Sequence, residues 1–196
     1  MKQIGIVMVR AIFWLSLSLY LGGLIVLGAI AAPALFRTLQ DVHATAPQFT
    51  AMTVENETGG AARQLGGEIF GNILRRFAHV EAACVALLGV TTGLMGYASI
   101  PRGWLRVGAA LAVLLGICYF YDLTVTNAIW QTRDQWRVAA MQGQTQVAVE
   151  RHAEFTKLHH RSEQLANLKV FLLLGLLVTG VIAESRVSRL EEPQPR

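Results

Sequence analysis

Charge is the scarcest commodity in this 196-residue chain: Asp, Glu, Lys and Arg make up 15% of it, against 53% hydrophobic residues. A soluble domain of this size carries about 25% charged residues, so a water-facing globule is excluded and an integral membrane protein is indicated. Cysteine is nearly absent. Cys84 and Cys118 each lie inside an apolar run, where a thiol packs as a small hydrophobe, which excludes a disulfide framework and a zinc knuckle. Also missing are a Gly-rich phosphate loop, a Ser/His/Asp set and the paired Glu that "HAEFTKLH" would need for a metalloprotease helix. No catalytic residue is identified, and the reading leans away from an enzyme. The net charge of +4 comes from Lys and Arg scattered at the ends of apolar runs rather than along one stripe, which argues against nucleic acid as a partner.

What the chain does have is long uncharged runs. Ala11 to Phe36 spans 26 residues without a charge, more than the ~20 that cross a bilayer core. Lys2 and Arg10 before it and "AIA" at 29 to 31 imitate a signal peptide, but the run exceeds the ~7 to 15 residues of a signal core, so an uncleaved first span is expected. The second span covers about 78–101, and its uncharged part, Ala82 to Pro101, carries Gly89, Gly93 and Gly96 at spacings that let membrane helices approach closely. The third, 104–130, is bracketed by Trp104 and Trp130 as by two interfacial belts, and Gly108, Ala112 and Gly116 give it a small-residue face of its own. These Gly/Ala faces of spans two and three offer a contact for a homo-oligomer.

The fourth run, Val170 to Ala183, has 14 apolar residues before Glu184 and is too short to cross unless it reaches back through Lys169, Asn167 and Leu165. The fourth span is therefore set at about 164–184, with polar residues drawn into it by length alone. Helices are also expected in the two long connections, 37 to 77 and 131 to 164. In the first, Glu68, Asn72, Arg75 and His79 fall at offsets of four, seven and eleven, one polar stripe leading into span two. In the second, span three continues past the membrane until Gly143 breaks it. The expectation is an all-α, four-transmembrane-helix bundle with helical extensions on one side, a single membrane domain over 1–190 and a disordered tail at 191–196.

An even number of spans puts both termini and the short 99 to 106 connection on one side. Seven of the 17 Lys and Arg residues fall on these short segments: Lys2, Arg10, Arg102, Arg106, Arg186, Arg189 and Arg196. Nine of the other ten are spread over the two long connections, and the tenth, Lys169, lies at the adjoining end of the fourth span. The higher density on the short segments places the termini in the cytoplasm of a multi-pass cell-membrane protein, the inner membrane in a bacterium. The same topology gathers the polar ends of all four spans at one face: Arg37, then Glu68, Asn72, Arg75 and His79, then Asp122 and Asn127, then His159, Ser162, Asn167 and Lys169. Ionisable groups at membrane depth are costly and mark functional sites, and a contact between Asp122 and a basic neighbour, Lys169 before any other, is expected. His79, His159 and His160 have the chemistry to ligate haem iron or a transition metal; the alternative is that they are interfacial histidines in water.

Three blocks, "GGLIVLGAIAAPALFRTL" (22 to 39), "GGEIFGNILRRF" (66 to 77) and "FTKLHHRSEQLANL" (155 to 168), together resemble the family of small membrane proteins that includes transmembrane protein 205 and its bacterial relatives, a domain of unknown function. The blocks cover about a quarter of the chain. The resemblance implies the four-span plan, a first span closing with Phe36 and Leu39, and a fourth announced by His, Ser and Asn at helical spacing. Ser162 sits three residues after His159 and Asn167 seven after His160, so either histidine answers to that pattern. It implies little about activity, which leaves three readings from the residues: handling of an ion or small solute through the polar cluster, haem- or metal-based redox chemistry, and structural assembly.

Overall fold

A computed structural model of the chain describes residues 2–45, 60–97 and 102–191, and among these every regular element is helical. Helix α1 (Lys2–Ile25) passes through a π-helical turn (Val26–Ala31) into α2 (Ala32–Thr45); α3 (Gly60–Tyr97), α4 (Arg102–Met141) and α5 (Thr145–Glu191) follow. Four stretches are long and apolar enough to cross a membrane: Ile4–Leu39, Leu65–Met95, Arg106–Met141 and Thr145–Ser185. Each is longer than the sequence suggests, because helix runs on from the spans into the described parts of the long connections, to Thr45, from Gly60, to Met141 and from Thr145. Residues 46–59, on which part of the helix expected over 37 to 77 falls, 98–101 and the tail at 192–196 lie outside the described residues.

Proline is scarce in the described helices. Of five prolines, Pro33 alone falls within a described element. It sits just after the π-turn, where the backbone N–H of Ala32 bonds to the Leu27 carbonyl five residues back. A proline inside a helix removes one donor and presses its ring on the carbonyl four residues earlier; a wider π-turn relieves that clash. The α4–α5 hairpin closes on Gly143, whose φ of +70° suits glycine. Gln144 N–H donates to the Ala139 carbonyl (2.9 Å) and Gly143 N–H to that of Ala140 (3.2 Å), the double bond of a Schellman C-cap.

Apolar side chains occur on the outer faces as well as inside. Leu15, Val90, Phe120 and Phe171 all point outward, as lipid-facing helices do and water-facing ones seldom do.

The chain divides into two compact units. The first combines Met1–Leu17 with Val85–Arg196. Its core holds Phe13, Leu17, Leu88, Leu115, Cys118, Leu173 and Leu176. Close helix approach occurs at Gly180, where an added Cβ would meet the rings of Phe13 and Trp14 at 3.1 Å, and at Gly175, 3.2 Å from Leu111. The second unit, Ser18–Cys84, uses Gly23 beneath the Phe77 ring and Gly66 beneath Phe36, whose ring lies 6.5 Å from that of Phe70.

The expected small-residue faces are not where helices of the chain meet closely. A Cβ on Gly89, Gly93 or Gly116 would find nothing among the described residues within 4 Å, and one on Gly108 only an ordinary contact with Thr92 at 3.7 Å. Large aromatic and leucine side chains, rather than other small residues, fill the spaces over the glycines that are used.

Candidate functional site

The first unit contains an ion pair between α4 and α5. Heptad-like spacing on each helix aims its members inward: Cys118, Asp122 and Val125 share one stripe of α4, and Ser162, Lys169, Leu173 and Leu176 share one of α5. Lys169 Nζ donates to Asp122 Oδ2 at 2.8 Å, and Ser162 Oγ donates to Asp122 Oδ1 at 3.3 Å. One turn away, Cys118 Sγ donates to the Leu165 carbonyl at 3.8 Å. The Lys169 side chain is 3% exposed and that of Asp122 14%.

Depth gives the pair its significance. Lys169 precedes Glu184, the first charge beyond the apolar run, by 15 residues, ~22 Å of helix, while Asp122 precedes Trp130 by eight, ~12 Å. Both residues lie within helices long and apolar enough to cross a membrane, Asp122 in Arg106–Met141 and Lys169 in Thr145–Ser185. An isolated charge at a helix centre costs ~2.5 to 3.5 kcal/mol on insertion scales, so each partner offsets a cost that the other would otherwise bear. Beside the pair the α4–α5 seam opens a groove of about 270 Å³ lined by Ile117, Cys118, Tyr121, Leu165 and Leu168 among others. Its walls are apolar, so it suits a hydrocarbon chain and supplies no polar route to the pair.

The remaining candidates do not join this contact. Asn127, His159 and Asn167 are exposed. His159 Nε2 and His160 Nδ1 both turn to the Glu163 carboxylate, at 3.5 and 3.4 Å, with all three side chains mostly exposed. His159 also stacks on Phe155 with centroids 5.9 Å apart, and Phe155 continues through His152 to Trp136 of α4. Here the interfacial reading of these histidines fits better than the ligand reading. Among the described residues no group of three or more His, Cys, Asp or Glu is arranged to hold a metal ion.

In the second unit, the α3 stripe is present as a helical face, with Glu68 half-buried and Asn72, Arg75 and His79 exposed; Arg37 of α2 is exposed as well.

Two features escaped the sequence reading. At the far end of the first unit Trp14 Nε1 donates to Glu184 Oε1 at 2.8 Å, across 170 residues of sequence. The signal was the topology itself, since an even number of spans brings the start of the first and the end of the fourth to one side. In the second unit, Glu81 is buried on α3. No known family, curated protein or solved structure matches the chain.

Proposed function

We propose that the chain is a non-enzymatic, multi-pass cell-membrane protein that handles an ion or small solute through Asp122, Ser162 and Lys169. The observation that carries this reading is a lysine and an aspartate sealed against each other, with a hydroxyl on the second carboxylate oxygen, at a depth where structural needs alone are met more cheaply by leucine. Both termini lie in the cytoplasm on this reading, and the likeness to the transmembrane protein 205 family supports the four-span plan. The test is purified protein reconstituted in liposomes, with internal dyes for protons, chloride and sodium. Wild type conducts at least one of these; Asp122→Asn and Lys169→Met abolish that flux, and Asp122→Glu retains part of it. A flux indifferent to all three substitutions would remove the pair from the function.

A second reading, assembly of copies in the bilayer, is favoured by the open space over Gly89, Gly93 and Gly116. Gly93→Leu and Gly116→Leu then dissociate a homo-oligomer, read as particle mass in mild detergent. Unchanged mass with bulky residues at both positions would dismiss that surface.

A further inference from the structure

The four-helix unit that holds the ion pair also holds a second polar station at its opposite end. Trp14 of α1 donates its indole N–H to Glu184 of α5 at 2.8 Å. A third group belongs at the same level. The Thr92 methyl of α3 lies 3.7 Å from where a Cβ on Gly108 of α4 would stand, and Gly108 precedes Asp122 by 14 residues, ~21 Å; Glu184 follows Lys169 by 15, ~22 Å, on the antiparallel neighbour. The Thr92 hydroxyl is buried and has no hydrogen-bond partner among the described residues. Its neighbour Thr91 does what a helical threonine ordinarily does, bonding the Leu87 carbonyl at 2.6 Å. A buried hydroxyl left without a partner forfeits about 1–3 kcal/mol, so its presence points to a group or a water that belongs beside it.

Between the two stations the unit is dry. Leu17 of α1, Leu88 of α3, Leu115 of α4 and Leu173 of α5 are all 0% exposed, and Leu176 is 1%. Leu173 and Leu176 lie four and seven residues from Lys169 toward Glu184, Leu115 lies seven from Asp122 in the same direction, and Leu17 lies three inward of Trp14. Each of the four helices thus places a fully buried leucine between the polar ends.

We propose that Glu184, with Trp14 and Thr92, is a second proton-binding station, and that the leucine layer is the closed gate between it and the Asp122–Lys169 pair. This rests on the ion-handling reading above and narrows its substrate to the proton. Asp122 already carries an ammonium at 2.8 Å, so a metal cation would have to displace it, whereas a proton needs one oxygen. No group of three or more His, Cys, Asp or Glu suited to a divalent ion exists among the described residues. A proton arriving from water adds to a Glu184 carboxylate oxygen and neutralises it. Once the layer opens, the proton passes through water to Asp122, restoring the Glu184 charge and loosening Asp122 from the Lys169 ammonium. In sequence, Arg10 stands four residues before Trp14, Arg106 two before Gly108 and Arg186 two after Glu184, toward the second station; the charges at the ion pair are Asp122 and Lys169 themselves.

The experiment uses the full chain in phosphatidylcholine–phosphatidylglycerol vesicles with a trapped pH dye, proton entry being driven by a potassium diffusion potential. Wild type takes up protons; Asp122→Asn abolishes uptake, Glu184→Gln and Trp14→Phe each slow it by about tenfold, and Glu184→Asp restores part of it. Leu173→Ala raises uptake by thinning the layer. Thermal unfolding in detergent separates loss of function from loss of fold, and Glu184→Asp serves where Glu184→Gln does not fold. Normal uptake in Glu184→Gln with none in Asp122→Asn would overturn the second station and leave the ion pair's role intact. No proton uptake by wild type, with Asp122-dependent chloride or sodium flux in parallel vesicles, would overturn the proton assignment alone. No Asp122-dependent flux of any kind would overturn both.

Discussion

Lys169 and Asp122 lie 2.8 Å apart where either charge alone would be badly placed, so their energies are expected to be coupled. Removing one partner of a buried pair strands the other at a cost of about 3–5 kcal/mol, while removing both leaves no stranded charge. Asp122→Asn and Lys169→Met should each lower the unfolding temperature in detergent, and the double variant should lie well above the sum of the two losses. A coupling of about 0.5–3 kcal/mol is the expected size; strict additivity would dissolve the pair as an energetic unit. Both residues were legible in the sequence for one reason: length. Fourteen apolar residues cannot cross a bilayer, which forces Lys169 inward, and Trp130 sets the depth of Asp122. Ser162 was placed in the cluster by the topology that gathers the span ends, and its partner is Asp122 rather than a neighbour on its own helix. That Glu163 faces both His159 and His160, and Phe155 stacks on His159, was not legible from sequence spacing.

At the scale of the elements, the glycines divide into those that touch and those that do not. Gly180→Ala brings a methyl to 3.1 Å from two aromatic rings, and overfilling of this kind costs about 1–3 kcal/mol. Gly89→Ala and Gly116→Ala meet nothing within 4 Å, so the helix propensity of alanine should raise stability by about 0.5–1 kcal/mol. Chemical unfolding of the three variants checks the contrast, and equal effects at all three sites would refute it. Small-residue spacing did not single out Gly180, Gly175, Gly23 or Gly66, where large side chains of the chain do close in, because it carries no information on which large side chain is opposite. The helical extensions, as far as they are described, were readable from periodicity, and Gly143 from being the break between two helical patterns. The π-turn was not. Pro33 stood in an apolar run, and whether a proline kinks, caps or widens a helix depends on backbone relaxation that composition does not encode.

For the whole molecule the proposed orientation rests on charge density on the short segments. Reporter fusions at residues near 50 and 140 should read outside, and those near 100 and 196 inside. Disagreement between 100 and 196 would break the four-span plan; agreement on the outside would invert it. The plan was the most legible property of all, since runs of uncharged residues count directly against bilayer thickness. The association of polar ends was legible only in part, for contacts between residues 170 apart depend on helix rotation. That rotation matters for α5 in particular. Thr145–Glu191 is one helix of 47 residues, and at about 100° per residue the 15 steps from Lys169 to Glu184 bring the two side chains to within about 60° of the same azimuth. A shaft with two teeth on nearly one line cannot turn to disengage one without disturbing the other. Any twist of α5 that carries Lys169 off Asp122 drags Glu184 from Trp14, so the two ends of the molecule are geared through a single rod.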